Sequence, residues 1–120
     1  MKLLTKELCG NMPGLYSQEE VGDPWVVAKF FTPWTFWTWY ATEASVVKDD
    51  FDGNECHFSL DTYEDGDEVL FFGLVCGQEN ELGYWTLADL QSVKGPVGLK
   101  IERDIYWDPK KLSEVEKMVA

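Results

Sequence analysis

Positive charge is scarce in this sequence. Ten Lys and Arg face twenty-two Asp and Glu, for a net charge of −12. A chain so charged repels phosphates, which argues against direct nucleic-acid binding. Histidine is scarcer still: His57 stands alone, so histidine-rich metal sites and relays of several histidines are excluded. Cys9, Cys56 and Cys76 are odd in number, widely spaced and without a Cys-x-x-Cys pair. That excludes a disulfide frame and a zinc knuckle, and fits reduced thiols in a cytoplasmic protein. No window approaches the roughly eighteen apolar residues of a membrane span, and residues 1–7 lack the apolar run of a signal peptide. Gly73, Gly77 and Gly83 are too scattered for a phosphate-binding loop. A calcium loop read through Asp50, Asp52 and Gly53 starts at Lys48 and puts Ser59 in the twelfth position. The next frame, through Asp61 and Gly66, puts Phe72 there. Both lack the closing glutamate, so no metal and no cofactor is expected.

What the chain has is rings. Aromatic residues make up 15% and hydrophobic residues 45% of 120 residues, enough for one domain, 1–120, with a real core. Three of the six tryptophans fall in 29–43, where Thr32-Pro33-Trp34-Thr35 interrupts the run. This predicts two strands, 25–32 and 36–43, joined by a tight turn. In the second, Trp37, Trp39 and Ala41 point one way and Phe36, Thr38, Tyr40 and Thr42 the other. Thr5 begins a short helix to about Met12, with Leu4, Leu8 and Met12 on its inner face.

Residues 44–68 change character. Asp49, Asp50, Asp52, Glu55, Asp61, Glu64, Asp65, Asp67 and Glu68 face one base, Lys48, so eight of the twelve net negative charges lie here. The alternation of 55–63 predicts a strand with Cys56, Phe58 and Leu60 inward and His57 outward. Asp65-Gly66 predicts a hairpin into a central strand, 68–76. The segment is expected to be an acidic hairpin insertion within the domain. Thr86 and Asp89 open a helix over 87–93, with Leu87 and Leu90 inward. A strand-like segment, 100–107, and a last helix, 112–119, capped by Asp108 or Ser113, complete the chain. The fold class is α+β: an antiparallel sheet of four to six strands with short N-terminal, internal and C-terminal helices packed on it.

Two constellations carry chemistry. One is the acidic segment joined by Trp34, whose place in a turn makes an exposed anchor for a protein partner. The other is Tyr40 and Glu43 with Glu102 and Arg103, a polar site if the 101–106 segment folds beside the aromatic hairpin. A carboxylate pair there could serve acid–base work, and Glu102-Arg103-Asp104 could equally protect an edge strand by charge or pair with Lys29 or Glu43.

Met1–Thr5, Val21-Gly22-Asp23-Pro24, Lys29–Pro33, Trp37–Glu43, Phe71–Val75, Glu81–Tyr84 and Gly95–Asp104 follow one another as ordered blocks. Together they resemble the bacterial family known as domain of unknown function 2958. Against that pattern the link 44–68 is longer here and carries most of the excess charge. The resemblance implies no established activity and an origin on plasmids, phages and other mobile elements. Acidity and this context point to a non-enzymatic interaction protein. Its expected partner is a protein with a basic surface, in particular a nuclease or CRISPR effector complex whose nucleic-acid site it would block by charge mimicry. A small enzyme or ligand-binding protein using the carboxylate–arginine site, and an antitoxin-like regulator, are the alternatives.

Overall fold

A computed structural model describes residues 2–120; Met1, at the head of the first sequence block, lies outside the described residues. The fold is α+β. Strand β3 (Thr38–Asp49) is its axis, and every ladder is antiparallel. The main sheet has six strands. On one side of β3 lies β5 (Glu68–Cys76), then the edge strand β6 (Asn80–Thr86). The other side is shared. β2 (Ala28–Phe31) pairs with the first half of β3 and carries β7 (Glu102–Arg103) outside it, while β4 (Glu55–Ser59) pairs with the second half. A separate two-stranded ladder joins β1 (Trp25–Val26) to β8 (Lys110–Lys111).

A bulge at Thr42 decides which side chains are inside. Ala41 pairs with Gly73 and Glu43 with Phe72, so Thr42 is the extra residue, its hydroxyl donating to the Phe72 carbonyl at 3.1 Å. One extra residue reverses the alternation. Without it Glu43 would follow Trp39 and Ala41 into the core; with it Ala44 and Val46 take those places. The resulting core face holds Phe30, Ala41, Val46, Val69, Phe71 and Trp85, with Phe71 stacked on Trp85 at 5.5 Å. Helices α1 (Lys6–Asn11) and α2 (Leu87–Ser92) cover it through Cys9, Leu87 and Leu90. On the opposite face α3 (Leu112–Val119) and Trp107 cover Tyr40, Leu74 and Cys76. That cover reaches one half of the face only.

Thr5 accepts from Leu8 N at 3.2 Å and starts α1, as expected, although Cys9 is buried where Leu8 is only half-buried. Thr86 and Asp89 form a reciprocal capping box on α2, worth about 1 kcal/mol for the cap alone.

Several expectations are corrected. The strand 36–43 runs on to Asp49, so residues 44–49 of the expected acidic insertion are sheet, with Ala44, Ser45 and Val46 buried. The Asp65-Gly66 hairpin is absent: β4 and β5 do not pair but flank β3, because β3 is long enough to bind a partner along each edge. Their connection crosses the core face and buries Leu60 there in a short 3-10 turn, Leu60–Thr62. The strand 25–32 breaks at Val27, whose N–H bonds Ala41 O at 2.9 Å. In the segment 100–107 only Glu102 and Arg103 form a strand. Neither Asp108 nor Ser113 caps α3. Asp23 reaches across the fold instead and accepts from Ser113 N at 2.9 Å and Ser113 Oγ at 2.6 Å.

Candidate functional site: an acidic sheet end beside a row of rings

The ladder registers bring the acidic residues together. Asp49 pairs with Glu55 across the β3–β4 turn, and Val47 pairs with both His57 and Glu68. The turn acids and the start of β5 therefore share one end of the sheet. Asp50 organises the turn: its Oδ1 accepts from Asp52 N at 2.9 Å and Asn54 N at 2.8 Å. These backbone donors hold its carboxyl below the usual carboxylate range, with the Asn54 bond the strongest cause. Asp52 is exposed beside it, and Gly53 turns the chain at φ 80°. Lys48 reaches Asp67 at 3.7 Å and so ties β3 to the start of β5. Asp67 also accepts from Glu64 N at 3.0 Å. Asp65 faces Lys2 at 4.0 Å with both side chains exposed, a contact of little energetic weight. Glu68 accepts from Val69 N and Ala88 N and so tethers the start of α2. Asp61 lies in the 3-10 turn close enough to Cys9 to help burial raise that thiol's pKa.

Trp34 is not the exposed ring of the aromatic hairpin. It is half-buried, and a Cβ on Gly95 would fall 2.5 Å from its ring, so the indole lies flat on that glycine. Phe36 is the most exposed ring there, at 74%. Trp37 rests on Gly77 in the same manner.

The four residues of the alternative polar site are divided between the two faces of the sheet. Register puts Arg103 opposite Phe30, on the core face, and Glu102 opposite Phe31, on the other. Tyr40 sits opposite Lys29 on that second face and touches Trp107 at 5.5 Å. Burial chiefly, then Cys76 and Asp104, raises the Tyr40 pKa. Lys29 lies about 6 Å from the rings of Phe31, Tyr40 and Trp107 and 3.7 Å from Asp104, so a self-contained cluster fills this place. A cleft of about 310 Å³ between β2 and the 102–106 segment holds Glu102 and Arg103 but neither Tyr40 nor Glu43.

Glu43 is 3% exposed and does something the sequence does not announce. Its two oxygens accept from Tyr16 N at 3.2 Å and Gln18 N at 2.7 Å, while Ser45 Oγ accepts from Leu15 N at 2.9 Å. These bonds fasten the 13–20 loop to the sheet and hold Tyr16 at φ 67°. The Tyr16 ring stacks 5.8 Å from His57, whose Nε2 lies 3.1 Å from Glu55. Tyr84 packs on Phe72 at 4.8 Å. Burial, followed by the charges of Tyr16, Glu43 and Glu19, raises the Tyr84 pKa. Two ring pairs, Tyr16 with His57 and Phe72 with Tyr84, thus lie beside the acidic end, on the half of the face α3 leaves open. The one hint in the sequence is Tyr16 before a polar loop, which period-two reasoning does not reach.

Among the described residues no cluster of His, Cys, Asp and Glu is arranged to hold a metal, and no helix is long and apolar enough to cross a membrane. All three cysteines are free thiols.

The model of one family, described as Protein of unknown function (DUF2958), matches residues 58–118. That span takes in the Phe71–Val75, Glu81–Tyr84 and Gly95–Asp104 blocks; the aromatic hairpin lies before it. No curated protein and no solved structure matches the chain.

Proposed function

We propose, for a chain that belongs to the DUF2958 family of proteins of unknown function, that it is a non-enzymatic binding protein whose acidic sheet end occupies a basic surface of another protein. The observation that carries this reading is the register of β3: Asp49 stands opposite Glu55 and Val47 opposite both His57 and Glu68, so the turn acids and the start of β5 share one end of the sheet, where Lys48 meets Asp67 and Lys2 meets Asp65. Carboxylates fixed on strands and on a hydrogen-bonded turn present charge at set spacings, which is what a surface built for phosphates accepts.

The finer reading is counter-defence. The partner would be a nuclease or CRISPR effector complex met in the cytoplasm, and the acidic end would stand in for its nucleic acid. Acidity and the mobile-element context of the family resemblance support this version. Affinity capture from cells carrying active restriction and CRISPR systems tests it. The expected result is a complex with such an assembly that weakens with salt and is lost when Asp49, Asp50, Asp52, Asp65 and Asp67 are all changed to Asn. A captured complex that survives both treatments would refute the reading.

A further inference from the structure

The open half of the second sheet face lies next to the acidic end, and three properties define it. First, its rings are accessible: Tyr16 is 48% and Tyr84 53% exposed, and Leu82 beside them 54%. Second, its backbone is held under constraint. Tyr16 is a non-glycine residue in the left-handed region, a conformation that favours glycine, and the buried Glu43 carboxylate binds the loop that imposes it. A loop so fastened presents the Tyr16 ring in one orientation. Third, its charge has one sign. By register with Val47 and His57, the side chains of Asp49 and Glu55 continue this face toward the turn, and Glu19 lies near enough to Tyr84 to act on its hydroxyl. The sheet positions on this half carry no lysine or arginine.

Exposed ring faces flanked by carboxylates attract cations twice, through the ring quadrupole and through charge. Of the two cationic side chains, the planar guanidinium can stack on a ring while forking onto a carboxylate; a lysine ammonium cannot do both. A second copy of the chain is disfavoured, since each carries −12, and a nucleic-acid strand is disfavoured by its phosphates. We infer that this face is a docking surface for an arginine-bearing segment of a protein partner, with a guanidinium seated on the exposed faces of Tyr16 and Tyr84 and paired with Glu19 or Glu55. The inference rests on the binding role proposed above and extends it from charge at the sheet end to a specific anchor on the sheet face.

A labelled nine-arginine peptide, with a nine-lysine peptide of equal charge beside it, tests this by fluorescence anisotropy at low salt. Tyr16→Gly keeps the left-handed backbone, and Tyr84→Phe keeps the ring that Tyr84→Ala removes. Tyr16→Gly and Tyr84→Ala should each weaken the arginine peptide roughly ten-fold and the lysine peptide less than about three-fold, with Tyr84→Phe within about two-fold of the unaltered protein. The lone imidazole gives a second readout independent of any variant's folding. The His57 proton signals of the unaltered protein should shift on titration with the arginine peptide, since Tyr16 stacks on that ring. Ring variants that bind as the unaltered protein does, with loss confined to the five-Asn variant, would overturn the inference and leave the acidic-end reading standing. An unmoved His57 signal would do the same. Failure of both peptides to bind the unaltered protein would remove the acidic-end reading and this inference together.

Discussion

Asp23 is a small residue with a long reach. It lies ninety positions before Ser113 and caps α3 through both the backbone N–H and the hydroxyl of that residue. A helix of eight residues with no cap of its own leaves several N–H groups without helical partners, so a borrowed carboxylate there completes the end. The bonds from the Ser113 hydroxyl and then its N–H hold the Asp23 carboxyl below the usual range, with Lys111 and Lys117 adding smaller effects. The sign follows from linkage. A carboxyl depressed in the folded state contributes fully above its ordinary value of about 4 and loses that contribution as pH falls through the folded value. Asp23→Ala should therefore melt at a lower temperature than the unaltered protein at neutral pH. The gap should close as pH falls from about 5 to about 2. Thermal unfolding followed by circular dichroism across that range checks it, and a gap that stays constant with pH would count against the cap.

At the scale of elements the decisive feature is the close approach of β3 and β5 next to the Thr42 bulge. Gly73 faces Ala41 there, and a Cβ on it would lie 1.9 Å from the Tyr40 carbonyl oxygen. The obstacle is backbone in the central ladder, which cannot swing aside as a side chain would. Gly83 stands directly across β5 from Gly73, on the edge strand, and meets nothing within 4 Å. Gly73→Ala is expected to cost about 3 kcal/mol or more, while Gly83→Ala should change stability by less than about 1 kcal/mol. Urea unfolding of the pair makes the comparison, and equal effects would show that the strands do not approach as described. This bulge also marks the limit of what was legible. Period-two alternation placed Trp39 and Ala41 together and correctly opposed them to Tyr40, and the Thr5 and Thr86 caps and the central β5 were readable from local residues. Alternation carries no sign of an inserted residue. The continuation of β3 through Ala44, Ser45 and Val46, and the turning of Glu43 away from the core, followed from the bulge alone. The acids were visible as a run, yet their meeting at one sheet end depended on β4 and β5 choosing opposite edges of β3. Trp34 looked exposed because it sits in a turn; only Gly95, sixty-one positions later, shows what it covers.

For the whole molecule the charge should act in opposite senses on folding and on binding. Most of the net −12 lies in one segment, and much of that at one end of the sheet, with few bases interleaved. Packing these carboxylates together costs repulsion that the unfolded chain relieves by spreading them apart. The groups are exposed, so mobile ions screen them well. Raising sodium chloride from about 20 mM to about 500 mM shortens the screening distance several-fold, and the isolated protein should melt roughly 5 °C higher. Changing Asp49, Asp50, Asp52, Asp65 and Asp67 to Asn should reproduce part of that gain at low salt and leave less for salt to add. Binding to a basic partner reverses the sign: the same ions that quiet the repulsion shield the attraction, so the complex should weaken where the free protein strengthens. Ordinary surface charge would give a salt response insensitive to those five positions. Differential scanning calorimetry of the two proteins at both salt concentrations separates the cases, because only a localised acidic end concentrates the salt dependence in the residues that β3 brings together.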